Sequence, residues 1–345
     1  MRHLFLPLLF ISWAVEPASD IVFPPPPDPP RIRFVRAIHN RRDVKGQSSG
    51  ALSRLLEFLA GGSLNAPLVS RPYGVWVRGD ELLMADTLEG RLVSLNLATA
   101  EFKVFGQGQP PEALQSPVGV TGGPNGEIFV SDTGDHSVKA FSPKGKLLWR
   151  VDHLGSEPGA LNRPSGLSWA PSNELYVLDS GNHRIVALSA EGKFLRQFCR
   201  NPKDVGALPN PANLWVEKDG TIIVSDPLIG RVHLFGPDGR FKGGFGEIGD
   251  SAGYMARPKG VASDSDGNIY VVDAVFNRVQ AFDREGRLLI YFGGPGKGPA
   301  KLGRPTGIFI DSKDQIYVMD SINRRVQIFQ YLKAAAKSPE NNKTP

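Results

Sequence analysis

Aspartate recurs at a fixed spacing along this 345-residue chain, and an arginine usually follows it. A carboxylate at the end of a strand can accept loop N–H groups, and an arginine across a hairpin can pair with it. Because a catalytic group is needed once rather than in every copy, we interpret these pairs as structural. They are Asp86 with Arg91, Asp179 with Arg184, Asp226 with Arg231, Asp273 with Arg278, and Asp320 with Arg325; Asp132 is followed at that distance by Ser137.

A second set of arginines has the pattern expected of a ligand site. Each stands directly before a proline that begins a repeated segment. Guanidinium groups around one opening could bind a carboxylate, phosphate or sulfate bidentately. The alternative is that each pairs with acidic groups of its own segment. We predict that this set binds the partner: it comprises Arg71, Arg163, Arg257 and Arg304, with Ser116 and Asn210 at the two remaining positions.

The other reactive residue types form no strong pattern. The single cysteine, Cys199, excludes an internal disulfide and a cysteine-based metal cluster. No nucleophile elbow, P-loop or dinucleotide fingerprint occurs, and no HxH or HxxxH spacing. We therefore predict no catalytic residues, metal ligands or cofactor, and leave open a single calcium or zinc ion. The histidines considered are His3, His39, His136, His153, His183 and His233.

The spacing of these residues reflects six copies of one unit. In each copy, a short apolar strand A leads through a polar turn to strand B, which ends on the repeated aspartate. A loop then leads to strand C, and in all but the last copy a second turn leads to strand D. Strand B is apolar at nearly every position, so both of its faces must be covered. Radial packing of six sheets covers them, and the sequence predicts an all-β, six-bladed propeller over residues 71–332. The copies follow Pro72, Pro117, Pro164, Pro211, Pro258 and Pro305.

The last copy lacks its strand D, because a polar tail follows Tyr331. Residues 31–38, IRFVRAI and the arginine before it, resemble the D strands in character. We predict that this upstream segment completes the last blade and closes the ring, which removes two exposed sheet edges. The alternative is a disordered arm.

The remaining segments are assigned from composition. Residues 1–19 fit a secretory signal, since the apolar run after Arg2 and His3 is shorter than the about 20 residues that span a bilayer. The alternative is an apolar N-terminal stub. Residues 20–30 form a proline-rich spacer, 48–62 a short amphipathic helix, and 333–345 a disordered tail. We thus predict a periplasmic or secreted protein.

The net charge is only +5, from 40 basic and 35 acidic residues, which makes nucleic acid an unfavoured partner.

Two of the copies carry a family resemblance. RPSGLSWAPSNELYVLDSGNHRIVAL and RPKGVASDSDGNIYVVDAVFNRVQAF resemble NHL repeats, and YFGGPGKGPAKLGRPTGI resembles the usual link between NHL blades. The resemblance covers roughly residues 71–331. The leader with PPPPDPPRIRF further resembles a bacterial exported subgroup. The resemblance to NHL proteins implies a six-bladed ring. Most such rings are binding platforms for protein, RNA or glycan, and a minority of related rings are lyases or lactonases.

The sequence therefore predicts an exported, monomeric, non-enzymatic scaffold that docks a protein or an anionic polymer. We place docking on the loops between blades, which differ in sequence while the strands repeat. The alternatives are a metal-dependent ring enzyme of lyase or lactonase type and an RNA-binding platform. The predicted docking loops, called connectors below, are residues 107–115, 152–162, 199–209, 247–256 and 293–303.

Overall fold

Six antiparallel sheets are arranged around a central axis in the computed structural model, which describes residues 21–45, 65–199, 203 and 205–333. The chain begins with β1 (Val22–Phe23), β2 (Ile32–Ile38) and the short helix α1 (Arg42–Lys45). Blade 1 comprises β3 (Pro72–Arg78), β4 (Glu81–Asp86), β5 (Arg91–Asn96) and β6 (Phe102–Phe105). Blade 2 comprises β7 (Pro117–Gly122), β8 (Ile128–Asp132), β9 (Ser137–Phe141) and β10 (Leu147–Val151). Blade 3 comprises β11 (Pro164–Trp169), β12 (Leu175–Asp179), β13 (Arg184–Leu188) and β14 (Phe194–Phe198), with a 3-10 turn at Ser180–Asn182.

The second half of the ring repeats the same order of strands. Blade 4 comprises β15 (Asn213–Val216), β16 (Ile222–Asp226), β17 (Arg231–Phe235) and β18 (Phe241–Phe245). Blade 5 comprises β19 (Pro258–Ser263), β20 (Ile269–Asp273), β21 (Arg278–Phe282) and β22 (Leu288–Gly293). Blade 6 comprises β23 (Pro305–Ile310), β24 (Gln315–Asp320) and β25 (Arg325–Tyr331), joined by β2 and β1. The predicted six-bladed, all-β fold is confirmed.

The innermost strand of each blade packs directly against its neighbours around the axis. Glycine stands two residues after the strand-initial proline in five blades, because the backbones approach too closely for a side chain. A Cβ atom on Gly260 would lie 2.8 Å from the backbone nitrogen of Ile308. Gly307 of blade 6 meets the carbonyl of Tyr73 in blade 1 in the same way. Blades 6 and 1 are therefore neighbours in a closed ring.

The predicted closing strand is also confirmed. Strand β2 pairs antiparallel with β25, with Phe34 opposite Phe329 and Ile38 opposite Val326. Phe34 is 2% exposed, and its ring meets that of Phe329 edge-on at 5.5 Å. The last blade thus takes its fourth strand from the start of the chain, and the ring is closed by hydrogen bonds as well as by packing.

The proline-rich segment differs from the predicted spacer. Val22–Phe23 forms strand β1 and pairs with β2 as a fifth strand of blade 6. The Arg31 N–H donates to the Phe23 carbonyl at 2.7 Å, so residues 24–30 form the loop of a hairpin. The aromatic ring of Phe23 also lies 5.9 Å from that of Phe292 in blade 5. Pairing and apolar packing therefore hold this segment on the ring, and it does not extend away from it.

Three other predicted segments lie wholly or largely outside the described residues: the signal at 1–19, the helix at 48–62 and the tail at 333–345. Among the residues that are described, no helix is long and apolar enough to cross a bilayer.

One buried ionisable group makes the stability of the ring depend on pH. His233 of β17 is 4% exposed and packs against the rings of Phe235 and Phe241. Neither ring nitrogen has a hydrogen-bond partner among the described residues. Burial lowers its pKa from 6.5 to about 4, with Asp226 opposing the shift and Arg231 adding to it. The fold therefore favours the neutral imidazole.

A His233→Phe variant should reduce the sensitivity of the ring to acid. The stabilising effect of the neutral imidazole is complete above pH 6.5 and is lost as the pH falls toward 4. At about 1.4 kcal/mol per pKa unit, this loss of stability reaches about 3 kcal/mol near pH 4. Urea titrations give the free energy of unfolding at neutral pH and at about pH 4. The difference between these two values should be smaller in the variant than in the wild type by about 3 kcal/mol. An unchanged difference would mean that another group dominates.

Candidate functional site

Antiparallel strands divide the loops of the ring between two faces. The B–C loops and the connectors emerge on one side, which we call the connector face. The A–B and C–D turns emerge on the other side, the turn face. Two of the connectors pack on B–C hairpins: Asn182 donates from its side-chain amide to the Gly155 carbonyl at 2.8 Å, and Asn323 makes the same contact with Gly296 at 2.9 Å. These two loops of the connector face are therefore held in place by side-chain hydrogen bonds.

The four predicted partner-binding arginines all lie at this face, where the innermost strands begin. All four side chains are exposed, and none forms an ion pair or a side-chain hydrogen bond with another residue of the described part of the chain. The alternative, pairing with acidic groups of the same blade, does not occur there. The guanidinium groups of Arg71, Arg163, Arg257 and Arg304, called the rim arginines below, are thus open to an external anion.

The backbone under two of the rim arginines is held by the preceding blade. Arg163 and Arg304 adopt left-handed conformations, with φ of 51° and 48°. The Arg163 N–H donates to Nδ1 of His136 at 3.1 Å, and the Arg304 N–H donates to Oδ1 of Asn277 at 2.6 Å. These contacts fix the backbone position of each arginine at the rim, whereas its side chain is unpaired within the described residues.

The repeated aspartates have a different environment, because all six are completely buried. Each accepts hydrogen bonds from backbone N–H groups that precede strand A of its own blade. In blade 5 the Ala256 N–H donates to Asp273 at 2.8 Å, and in blade 6 the Gly303 N–H donates to Asp320 at 2.6 Å. The donors in blades 1 to 4 are the backbone amides of Ser70, Arg71, Gln115, Ser116, Asn162 and Asn210. The geometry supports the structural interpretation of these aspartates.

Three of the five predicted aspartate–arginine pairs form. Arg91, Arg184 and Arg325 donate to the aspartates of their blades at 3.3, 2.8 and 2.7 Å. In blade 2, where serine stands at the arginine position, Lys139 reaches Asp132 at 3.3 Å instead.

The other two pairs do not form, which corrects the sequence-based expectation. The Arg231 guanidinium donates to the Gly244 carbonyl at 3.3 Å rather than to Asp226. The Arg278 guanidinium lies 4.4 Å from the Phe276 ring centre and 5.2 Å from that of Tyr291, and it donates to the Ser251 carbonyl at 3.3 Å rather than to Asp273.

The described histidines are dispersed over the ring. His136 and His183 occupy equivalent B–C loops and contact the backbone of Arg163 and Leu208, while His233 is buried in blade 4. Within residues 21–45, 65–199, 203 and 205–333, no group of three or more His, Cys, Asp or Glu side chains is placed to hold a metal ion. Cys199 is half-buried at the end of blade 3, and His3 lies outside the described residues.

Sequence reasoning missed a row of exposed apolar side chains on the connector face. They stand at the tip of the B–C loop, two residues after the repeated aspartate, in four of the six blades. Blades 2 and 3 have Gly134 and Gly181 at this position. An alignment of the copies at the aspartate would have identified the row. Its members, called the apolar tips below, are Leu88 (56% exposed), Leu228 (55%), Val275 (52%) and Ile322 (57%).

This architecture defines a six-bladed β-propeller, and comparisons with known proteins agree. Residues 114–141 and 161–188 match the NHL repeat, and residues 261–333 match a family described as a 6-bladed beta-propeller. The chain therefore contains NHL repeats and folds as a six-bladed β-propeller. No curated protein gives a significant match.

Solved structures resemble the ring at low sequence identity. Virginiamycin B lyase from Staphylococcus aureus is 15% identical with a TM-score of 0.56, covering 76% of this chain and 96% of the lyase. A protein of unknown function from Bacteroides thetaiotaomicron is 18% identical with a TM-score of 0.61, over 78% and 71% of the two chains. Hydrazine synthase from Kuenenia stuttgartiensis is 16% identical with a TM-score of 0.55, over 75% and 76%. At these identities the likeness concerns the fold alone.

Proposed function

We propose that this propeller is a non-enzymatic docking platform that binds another protein on its connector face. The partner surface would present apolar side chains to the apolar tips and carboxylates to three of the rim arginines, Arg71, Arg257 and Arg304. The observation that carries the proposal is the concentration of exposed apolar side chains on one face of the ring.

Exposed apolar groups gather in the loops of the connector face. Of twelve large apolar side chains exposed in the described residues, nine belong to B–C loops or connectors. The other three, Leu148, Leu195 and Tyr291, lie on outermost D strands. A clustered apolar surface on a soluble fold typically marks an interaction site, whereas scattered apolar residues need no explanation. The nine are Leu88, Leu154, Val205, Leu228, Ile229, Ile248, Tyr254, Val275 and Ile322.

One sector of the face combines both kinds of contact. Blades 5, 6 and 1 are adjacent in the closed ring, and each carries one apolar tip and one rim arginine. Blade 3 has Arg163 without an apolar tip, and blade 2 has neither. Arginine is enriched in protein–protein interfaces, and an exposed aliphatic side chain beside it is stabilised when a partner covers it. We therefore place the centre of the docking site over blades 5, 6 and 1.

The apolar tips also favour one of the two partner classes that the sequence leaves open. An anionic polymer would be held mainly by charge, and the modest net charge of +5 offers little general attraction. Exposed leucine, valine and isoleucine side chains stabilise a complex only where an apolar surface of the partner covers them. A protein partner uses both the arginines and the apolar tips, so we favour it.

Replacing the sector's contact residues should weaken docking without unfolding the ring. We expect a variant with Val275→Ser and Ile322→Ser, and a second with Arg257→Ala and Arg304→Ala, to bind the partner at least about 10-fold more weakly. Each loss of a central contact costs about 1–2 kcal/mol. Surface changes of this kind alter the free energy of unfolding by only about 0.5 kcal/mol. The measurement is the dissociation constant by surface plasmon resonance, with the partner recovered by crosslinking from envelope extract.

Matched controls are available on the same ring. Leu148→Ser with Leu195→Ser removes equally exposed apolar side chains from outer strands, and Arg163→Ala removes a rim arginine outside the sector. These variants should bind normally. Equal losses in the controls and in the sector variants would contradict the proposed location.

We also propose that the protein acts outside the cytoplasm, as a periplasmic or secreted monomer. This is supported by the apolar, signal-like residues 1–19, which lie outside the described part of the chain.

A further inference from the structure

The central channel opens toward the turn face as a cavity with aromatic walls. Its volume is about 230 Å³. Four large aromatic residues on the innermost strands of blades 1, 3, 4 and 6 line it: Trp76, Trp169, Trp215 and Phe309. Trp149 is the other tryptophan among the described residues, and it lies on the outer strand β10. This concentration of indole rings at one place is independent of the docking face, which lies on the opposite side of the ring.

The four rings, called the aromatic box below, pack in two ways: Trp76, Phe309 and Trp215 meet edge to face, whereas the Trp169 ring stacks on Phe129 at 5.4 Å. Phe309 lies between two tryptophans, with its centre 5.5 Å from that of Trp215 and 6.5 Å from that of Trp76. Both pairs are inclined at 70°, so the rings meet edge to face and are not paired face to face. The Trp215 indole N–H donates to Ser263 Oγ at 3.0 Å, which fixes that ring. None of the four residues is fully buried, so their rings can be reached from the cavity.

A second cavity of about 340 Å³ adjoins the aromatic box and shares Trp215 and Val216 with it. It lies over the A–B turns of blades 4, 5 and 6. Five carboxylates line it, against only Lys218 and Arg284 as basic side chains. Arg284 pairs with Glu217 through two hydrogen bonds at 2.6 Å, and Lys333 lies 3.7 Å from Asp314; Asp219, Asp264 and Asp311 have no basic partner among the described residues, which leaves an excess of negative charge. The carboxylates are Glu217, Asp219, Asp264, Asp311 and Asp314.

At least one of these carboxylates is firmly ionised. The backbone N–H of Thr221 donates to Asp219 at 2.8 Å and holds the pKa of that carboxyl below its usual range. An approaching cation would therefore meet a negative entrance and then a box of aromatic faces. Aromatic faces attract cations through the ring quadrupole, most strongly in the case of tryptophan. The propeller already contains one such contact, since the Arg78 guanidinium lies 5.4 Å from the centre of the Trp76 indole.

We propose that this box and its acidic entrance bind a small alkylated ammonium group. The carboxylates over blades 4 to 6 attract the cation, and the Trp215 and Phe309 rings receive its methyl groups and charge. The aromatic box is smaller than the about 300–1,000 Å³ typical of drug-sized ligands, which matches a group of trimethylammonium size. The ammonium group could belong to a free small molecule or to a trimethylated lysine of a peptide.

Calorimetric titration of the folded chain with choline tests the proposal. Its neutral carbon isostere, dimethylbutanol, has the same shape without the charge. We expect choline to bind about 10-fold or more tightly than the isostere, since a desolvated cation–π contact contributes about 1–2 kcal/mol. A short peptide with one trimethyllysine, titrated in parallel, identifies the source: tighter binding of the peptide indicates a protein ligand, and tighter binding of choline indicates a free molecule.

Two kinds of variant separate ligand binding from folding. Trp215→Leu should remove choline binding, whereas Trp149→Leu should leave it unchanged. If Trp215→Leu fails to fold, the pair Asp219→Asn and Asp311→Asn serves instead, because it lowers the negative charge of the entrance and keeps hydrogen-bond acceptors. That pair should weaken choline several-fold and leave dimethylbutanol unchanged. Equal affinity of the wild-type chain for choline and dimethylbutanol, or no measurable binding of choline, would overturn the proposal.

Discussion

An Arg184→Met variant should lose about 3–5 kcal/mol of its free energy of unfolding, the cost of leaving a buried charge without its partner. Arg184 is 1% exposed and donates five hydrogen bonds. One goes to Asp179 at 2.8 Å, and three go to carbonyls of the connector before blade 3. The substitution therefore strands a buried carboxylate and releases a connector. Chemical denaturation at neutral pH measures the loss.

The loss should shrink as the pH falls. Burial raises the pKa of Asp179, and the hydrogen bonds from Asn162, Asn182 and Arg184 oppose the shift. Without Arg184 the pKa in the folded state rises further above its value in the unfolded chain. Protonation then relieves the buried charge, so the variant regains stability toward acid and loses it as the pH rises.

Arg231→Met is the matched control, since Arg231 has the same repeat position but donates to the Gly244 carbonyl rather than to Asp226. We expect it to cost about 1 kcal/mol or less. A similar cost for both variants would mean that the repeat position, and not the buried ion pair, sets the stability.

A Phe34→Ala variant should destabilise the ring by about 3–5 kcal/mol, the usual cost of removing a buried phenylalanine. Its ring is 2% exposed and lies against Phe329, so the cavity would open within the sheet that joins the two ends of the chain. Thermal unfolding followed by circular dichroism measures the effect. Phe194 occupies the corresponding outer-strand position in blade 3 but is half-buried. Phe194→Ala should cost less, and an unchanged melting temperature in Phe34→Ala would contradict closure by β2.

The repeat fixes most of the fold from sequence alone. A regular period with β-branched strands predicts six sheets, and the missing last strand predicts that residues 31–38 fill the gap. The hairpin formed by β1 could not be predicted in this way. A strand of two residues, Val22–Phe23, has no periodicity, and its pairing depends on the edge that β2 presents.

The sites were less predictable than the fold. The rim arginines followed from their place before each proline, but their freedom from ion pairs depends on three-dimensional surroundings. The aromatic box could not be predicted from the sequence, because most of the innermost strands shift register after their proline. Such shifts occur between Pro72 and Val75 and between Pro305 and Ile308. Simple alternation therefore does not tell which side of strand A faces the channel.

The central claim is that a protein docks on the connector face over blades 5, 6 and 1. Site-specific photocrosslinking in the native cells tests it most directly, with benzoylphenylalanine placed at Leu88, at Ile322, or at Lys193, an exposed residue of the turn face. Our account predicts one shared crosslinked protein from Leu88 and Ile322 and none from Lys193. The same protein crosslinked equally from Lys193, or no crosslink from either apolar tip, would contradict it.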